Sequence, residues 1–219
     1  NTNSQHGIEP TCNSTQDFSY IFHSMDLNNI LSGSIDVQVM DYFSVLLKTQ
    51  LHIEYGLLPP SLIYHQSIEG TTSEDSIPKE ANAVQIHYID AHYVVSSKTN
   101  KNITIFDSLN NPDRIQSLSK QLKIMYENFE NMTTSYVIPQ TQGSTLDCGA
   151  FAAANAYYLS KQVSPCGFHL HQHLIRLHLK KCLEDGIITD FPHMKIDENP
   201  LSNLISNYFD DQNKKQIIK

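Results

Sequence analysis

The stretch QGSTLDCGAF, residues 142–151, decides the interpretation of this chain, because a polar loop here gives way to an Ala-rich run. The run from Cys148 to Leu159 predicts a helix that begins at the cysteine. Unpaired amides at a helix N-terminus carry partial positive charge, which lowers the pKa of a thiol and favours the reactive thiolate. Gln142 lies six positions earlier, where its side-chain amide could face an oxyanion formed during acyl transfer. The stretch therefore predicts a cysteine nucleophile.

Composition limits the classes of protein that fit. The chain has 219 residues and 40% hydrophobic content, enough for one sizeable core. A net charge of -8, a pI near 5.7 and no run of Lys and Arg disfavour a nucleic-acid binder. No apolar stretch approaches the roughly 20 residues that span a bilayer, so no membrane association is expected. The cysteines are too sparse for a disulfide scaffold, which predicts an intracellular protein of the cytoplasm or nucleus; they are Cys12, Cys148, Cys166 and Cys182.

The order of predicted elements indicates the α+β class. Residues 1–16 form a polar lead-in, residues 17–209 the catalytic domain and residues 210–219 a polar tail. Apolar spacings of three and four predict helices, and short runs of Val, Ile and Tyr predict strands. We expect a central, mostly antiparallel sheet flanked by helices. The predicted helices are 35–51, 111–129, 148–159 and 171–183, and the predicted strands are 83–88, 93–97, 102–106 and 135–138.

A histidine and an aspartate supply the partners that a cysteine nucleophile needs. His92 begins the second predicted strand, and Asp107 follows the third. If these strands pair as a hairpin through residues 97–101, both side chains lie at the same open end of the sheet. Asp107 could then accept a hydrogen bond from one imidazole nitrogen and leave the other for the thiol of Cys148. The hairpin therefore predicts a His–Asp–Cys site.

Four short motifs in this order resemble a known family. HYVV begins at His92, FDSL contains Asp107, and DCGAF contains Cys148, with Gln142 before it. This set resembles the ubiquitin-like-protein-specific cysteine proteases, which include the SUMO proteases and share a clan with adenovirus proteinase. The similarity covers roughly residues 27–192. Within this range, the LHLKKCLE segment, residues 177–184, is most similar in style to transposon-encoded and viral members.

The resemblance implies a fold, a reaction and a role for each residue. The fold would be of the adenain or SUMO protease type. The reaction would be hydrolysis after a small, Gly-like residue through a thioester, with no cofactor and no metal. Cys148 would be the nucleophile, His92 the base and then the acid, and Asp107 the orienting group. Gln142 would bind the oxyanion with the backbone N–H of Cys148. The partner would be a protein substrate, in this family a ubiquitin-like modifier precursor or conjugate.

One position departs from the family pattern. The family usually has Trp directly after the catalytic histidine, and SUMO proteases use it to line a narrow tunnel for a Gly-Gly tail. This chain has Tyr93 there and contains no Trp. Tyr93 can supply a flat aromatic wall, so we predict it to contact substrate. The identity of the substrate stays open among a modifier, a polyprotein and a host target, and the sequence carries no signal of oligomeric state.

Two other functions fit the same motifs. Some members of the clan acetylate Ser, Thr or Lys, typically with Glu in the triad, and Asp107 argues against this alternative. A non-catalytic module that binds a ubiquitin-like partner is the second alternative. The intact set of His92, Asp107, Gln142 and Cys148 argues against that one.

Several nearby polar residues have simpler interpretations. His87 alternates with apolar residues on a strand and is expected to be structural, whereas Asp90 lies in a turn and is expected to be solvated. Asp147 directly precedes the predicted helix and is expected to cap it. The histidines between His169 and His178 match none of the usual zinc-ligand spacings, so we predict no metal site there.

Overall fold

A four-stranded sheet forms the centre of the protein. The computed structural model describes residues 27–71, 76–109, 114–144 and 146–196. Within these ranges the sheet has the order β1–β2–β3–β4, with β1 antiparallel to β2, β2 antiparallel to β3, and β3 parallel to β4. The predicted mostly antiparallel sheet is therefore confirmed. The strands are β1 Ala83–Ile89, β2 His92–Thr99, β3 Asn102–Phe106 and β4 Thr133–Val137.

Tight turns set the register of the strands that carry the predicted site. Asp90 and Ala91 connect β1 to β2 with φ angles of 46° and 59°. Two consecutive positive φ values fit the mirror-image turns that match the twist of antiparallel strands. Asn100 begins the next turn with φ 53°, so the β2–β3 connection is shorter than the predicted 97–101. Both turns hold His92 at the first position of β2.

Helices cover both faces of the sheet. Side chains alternate along each strand, so Tyr93 and Val95 of β2 join one core while Val94 joins the other. Helices α2, α5 and α6 contribute buried residues to the first core, and α3 and α4 contribute to the second. The described helices are α1 Asn29–Ser32, α2 Val37–Gln50, α3 Pro60–Glu69, α4 Ile115–Met125, α5 Cys148–Ser160 and α6 Gln172–Asp185. Two 3₁₀ turns, Phe129–Asn131 and Pro165–Gly167, and a small sheet of β5 Phe168–Leu170 with β6 His193–Lys195 complete the described part.

Helix α5 is the central helix of the first core. Eleven of its 13 residues are buried, which is typical of a helix that is apolar on every side. Its alanines lie against β1 and β2, and small side chains allow the helix backbone to approach the sheet closely. The predicted bounds 148–159 are confirmed to within one residue. This packing fixes the first residue of α5, Cys148, relative to the strand that begins at His92.

Two of the longer helices differ from the prediction, and the short helix α1 was not predicted. The predicted helix 111–129 ends at Met125, because Ile77 hydrogen-bonds the chain on both sides of Tyr126 and draws it into an extended conformation. Helix α3 was not predicted, although it carries recognisable boundary signals. It begins with Pro60 and is followed by Gly70 in the left-handed conformation, φ 70°.

The predicted lead-in 1–16 and tail 210–219 lie outside the described residues, so the domain bounds stay a prediction. Among the described helices, each is too short or too polar to cross a lipid bilayer.

Candidate active site

His92 and Asp107 meet at one end of the sheet. The β2–β3 register pairs Val95 with Phe106, which brings the first residue of β2 beside the residue that follows β3. His92 Nε2 lies 2.6 Å from Asp107 Oδ1, and both side chains are 1% exposed. The expected histidine–carboxylate contact is therefore present in the structure.

Asp107 is held as an ionised acceptor. Its Oδ1 accepts a second hydrogen bond, 2.8 Å long, from the Leu109 backbone N–H, and its Oδ2 accepts one from the Tyr136 hydroxyl. Burial alone would raise the pKa of this carboxyl, but the hydrogen bonds from His92, Tyr136 and Leu109 lower it to about 2. Because a carboxylate can only accept, His92 Nε2 carries the hydrogen and Nδ1 keeps its lone pair in the neutral ring.

The other ring nitrogen of His92, Nδ1, is available to the Cys148 thiol. Nδ1 is buried and has no hydrogen-bond partner in the part of the chain that the structure describes. Burial lowers the pKa of His92, but interactions with Asp107 and with the Cys148 thiol outweigh it and raise the pKa above its usual value. The Cys148 thiol is thus close enough to influence the ring, although no hydrogen bond of ordinary geometry joins them.

Cys148 is the first residue of α5 and is 6% exposed. Burial alone would raise the pKa of its thiol. The His92 ring and the backbone N–H groups of Tyr93 and Gly149 outweigh that effect and lower the pKa. A thiol stabilised as thiolate by a histidine and by helix N-terminal amides has the properties of a nucleophile.

Gln142 lies in the loop before α5 and is 6% exposed. Its Oε1 accepts a 2.5 Å hydrogen bond from the Ser108 hydroxyl, and its Nε2 donates to the Ser144 carbonyl. Its backbone N–H also donates to the Ser108 carbonyl, at 2.9 Å. An amide nitrogen has two hydrogens, so one of them is left for another acceptor. Sequence reasoning missed Ser108, because a single serine after a strand carries no distinctive signal.

The predicted cap at Asp147 is wrong. Asp147 occupies the position before α5, but its side chain makes no capping hydrogen bond. Its carboxylate instead accepts from Arg176 Nε at 2.5 Å and from Gln172 Nε2 at 2.7 Å. Arg176 also donates to backbone carbonyls of Ile30, Gly33 and Leu146. The ion pair between Asp147 and the partly buried Arg176 replaces the predicted capping bond, and it connects the loop before Cys148 to α6.

Tyr93 lies beside the site, but its ring is 3% exposed. Its hydroxyl donates to the Ile35 carbonyl at 3.1 Å, and its ring packs 4.9 Å from that of Tyr88. Burial raises the pKa of Tyr93 far above its usual value. A substrate-contacting role for Tyr93 therefore stays a prediction, and in this structure the ring packs within the core.

His87 and Asp90 lie outside the candidate site and contact other residues. His87 is fully buried between Gln121, at 3.0 Å, and Ser96, at 2.8 Å, and burial lowers its pKa to about 4. This confirms the structural interpretation of His87. Asp90 is exposed and accepts a 3.1 Å hydrogen bond from Ser117. Among the described residues, no three His, Cys, Asp or Glu side chains are grouped as metal ligands.

Comparison with known proteins shows the fold through solved structures. No protein-family model matches the chain, and no curated protein matches it. The SUMO protease Ulp1, with its catalytic cysteine oxidised to a sulfenic acid, is 12% identical with a TM-score of 0.53, covering 80% of this chain and 95% of that one. The C-terminal Ulp1 protease domain in complex with Smt3, the yeast ortholog of SUMO, is 11% identical with a TM-score of 0.51, covering 82% and 97%.

A further structure described as a de-sumoylating protease is 13% identical with a TM-score of 0.52, covering 78% of this chain and 85% of that one. At these identities the similarity shows the fold. The chain therefore has the cysteine-proteinase-like fold found in Ulp1-type SUMO protease domains.

Proposed function

We propose that this chain is a cysteine peptidase that cleaves a ubiquitin-like modifier, as a precursor or a conjugate, after a small residue at the modifier's C-terminus. One observation carries the proposal. A buried histidine, oriented by an ionised aspartate, leaves its second nitrogen free beside a thiol of lowered pKa at the start of a helix.

The first half of the reaction follows from these positions. His92 Nδ1 takes the proton of the Cys148 thiol, the thiolate attacks the carbonyl carbon of the scissile amide, and the electron pair of the C=O bond moves onto oxygen. The tetrahedral intermediate then collapses, the C–N bond breaks, and His92 Nδ1 gives its proton to the leaving amine. The modifier remains attached to Cys148 as a thioester.

The second half returns the enzyme to its starting state. His92 Nδ1 removes a proton from water, and the resulting hydroxide attacks the thioester carbon. As the C–S bond breaks, the proton on Nδ1 passes to the Cys148 sulfur. Asp107 stays ionised throughout and holds the ring with the hydrogen on Nε2. The products are a free carboxylate on the modifier and a free amine on the other fragment.

Two donors would stabilise the negative charge on oxygen. The backbone N–H of Cys148 lies in the first turn of α5, where helix amides have no intrahelical partner. Gln142 Nε2 has one hydrogen beyond the one given to Ser144. Removal of one such donor costs about 10² to 10³ in rate in well-studied acyl-transfer enzymes.

The modifier class is supported by the structural neighbours. One of them is the Ulp1 protease domain bound to Smt3, so this fold presents a surface that accepts a SUMO-type protein. The buried position of Cys148 adds a second argument, because only a thin, extended segment could reach a thiol that is 6% exposed.

Electrophilic modifier probes test the proposal. SUMO and ubiquitin that end in a vinyl ester in place of the terminal carboxylate are incubated with the protein, and the adduct is located by peptide mass spectrometry. We expect an adduct on Cys148 with a modifier probe. The Cys148→Ala variant should form none, and Cys166→Ala, which removes an exposed cysteine, should form as much as the wild type.

Two results would reject the proposal. The first is that iodoacetamide labels Cys148 readily while neither modifier probe does, which would show that the substrate is not a modifier of the SUMO or ubiquitin type. The second is transfer of acetyl from acetyl-CoA to a Ser, Thr or Lys of an acceptor protein, dependent on Cys148 and without peptide hydrolysis, which would assign an acyltransferase.

A further inference from the structure

We propose that Ser108 is a positioning residue that holds the Gln142 side-chain amide in the orientation needed for oxyanion binding. This inference rests on the proposed function and adds to it a residue that does not itself touch the substrate. Ser108 is 2% exposed and follows Asp107 directly in the chain.

The contacts of the Gln142 amide fix which end is nitrogen. The Ser144 main-chain oxygen can only accept a hydrogen bond, so the amide atom beside it must be Nε2. The other amide atom is then Oε1, and the Ser108 hydroxyl donates to it at 2.5 Å. The Ser144 contact excludes the flipped amide, which would place two acceptors against each other, and the Ser108 hydroxyl, which can donate or accept, then acts as the donor.

Loss of the Ser108 hydroxyl would remove one of these two restraints. Gln142 Oε1 would be left buried without its donor, and the amide would rotate about its last torsion to find another. The remaining Nε2 hydrogen would then point toward the oxyanion for only part of the time. The backbone contact from the Gln142 N–H to the Ser108 carbonyl does not depend on the side chain, so the loop itself stays in place.

The position of Ser108 also links the two halves of the site. Asp107, which follows β3, orients His92 in the part of the site that lies on the sheet. The Asp107 backbone N–H donates to the Val137 carbonyl at 3.1 Å. The next residue reaches across to the loop that leads into Cys148. Consecutive residues thus orient the base and the oxyanion donor, and the end of β3 fixes both.

A double-mutant cycle on turnover tests the inference. A modifier fused through its C-terminal Gly-Gly to a fluorogenic leaving group is the substrate, and kcat and KM are measured for wild type, Ser108→Ala, Gln142→Ala and the double variant. We expect Ser108→Ala to lower kcat about tenfold with KM unchanged, since misalignment of a donor costs less than the 10² to 10³ of its removal. In the Gln142→Ala background, the same change should have no further effect, because the side chain it positions is absent.

Further measurements separate positioning from a structural role. Alkylation of Cys148 by iodoacetamide forms no oxyanion, so its rate should be equal in wild type and Ser108→Ala. Ser108→Thr retains the hydroxyl and should recover most of kcat. Ser96→Ala removes another buried hydroxyl, bonded to His87 and Tyr126, and should leave kcat unchanged.

Each outcome decides the matter. Equal effects of Ser108→Ala in both backgrounds, or a matching loss in the alkylation rate, would overturn the positioning role while turnover by the wild type upholds the proposed function. Absence of wild-type turnover with every modifier substrate would instead reject the proposed function, and the positioning role would fall with it.

Discussion

Replacement of Asp107 by Asn removes one charge and keeps the geometry of the site. Asp107 Oδ1 accepts two hydrogen bonds, one from His92 Nε2 at 2.6 Å and one from the Leu109 backbone N–H at 2.8 Å. An Asn oxygen can occupy that place, and its amide nitrogen can donate to the Tyr136 hydroxyl in place of the bond that Oδ2 now accepts. The variant therefore isolates the effect of charge.

The size of the effect follows from the type of hydrogen bond. A bond to an ionised group contributes about 1.5–3 kcal/mol and a neutral one about 0.5–1.5 kcal/mol, so the change costs the imidazolium about 1–2 kcal/mol. At 1.36 kcal/mol per pH unit, the pKa of His92 falls by about one unit. Since His92 is among the groups that lower the pKa of Cys148, the thiolate becomes harder to form and the thiol pKa rises by a similar amount.

The rate of iodoacetamide alkylation of Cys148 as a function of pH measures this shift. Peptide mass spectrometry follows Cys148 separately from the other cysteines. In the wild type, the midpoint should lie below the value of about 8.5 for an ordinary cysteine. In Asp107→Asn it should rise by about one unit, and the rate on the acidic side of the midpoint should fall about tenfold. Asp90→Asn, which changes an exposed carboxylate two positions before His92, is the matched control and should leave the profile unchanged. An identical midpoint in Asp107→Asn and wild type would refute the electrostatic coupling.

Three further predictions concern stability. Gly149→Ala should lower the free energy of unfolding by about 1 kcal/mol in urea titrations, because the new methyl would lie 3.0 Å from Ile35 Cβ and overpacking outweighs the gain in helix propensity; an equal or higher value would contradict this. Arg176→Met should lower the free energy of unfolding by about 3 kcal/mol in the same assay, because the mostly buried Asp147 carboxylate loses its cation. A decrease no larger than that for an exposed ion pair would show that this pair contributes little to stability. His87 has a pKa of about 4 in the folded state and about 6.5 in the unfolded chain, so the unfolded chain takes up the proton at higher pH. The free energy of unfolding should therefore fall by about 3 kcal/mol as the pH drops from 7 to 4. His87→Gln should reduce this pH dependence, and an unchanged pH dependence would assign it to other groups.

The contact between His92 and Asp107 could be predicted from the sequence because its determinants are local. The hairpin between β2 and β3 follows from strand periodicity and a short turn, and it brings His92 to Asp107 without any long-range assumption. The same holds for the helix that begins at Cys148, whose alanine run and preceding polar loop mark its start.

Determinants that are distant in sequence were missed. Helix α4 ends at Met125 because Ile77, nearly fifty positions earlier, pairs with the chain that follows it. The cap predicted at Asp147 was wrong because Arg176, 29 positions later, takes its carboxylate. Periodicity and capping patterns describe neighbours along the chain, so contacts of this kind leave no trace in them.

The burial of Cys148 and His92 offers a reason why, under the proposed function, the residue before the scissile bond would be small. Cys148 is 6% exposed and His92 is 1% exposed, so under the proposed function an acyl group would reach the thiol only through a narrow approach. This chain contains no tryptophan, and the Tyr93 hydroxyl donates a hydrogen bond to the Ile35 carbonyl. At the start of α5, Ile35 lies so close to Gly149 that a Cβ added to the glycine would stand 3.0 Å from Ile35 Cβ. Under the proposed function, restriction of the substrate to a Gly-like residue would come from the close packing of the segment before α2 against the start of α5, and it would not require an aromatic wall.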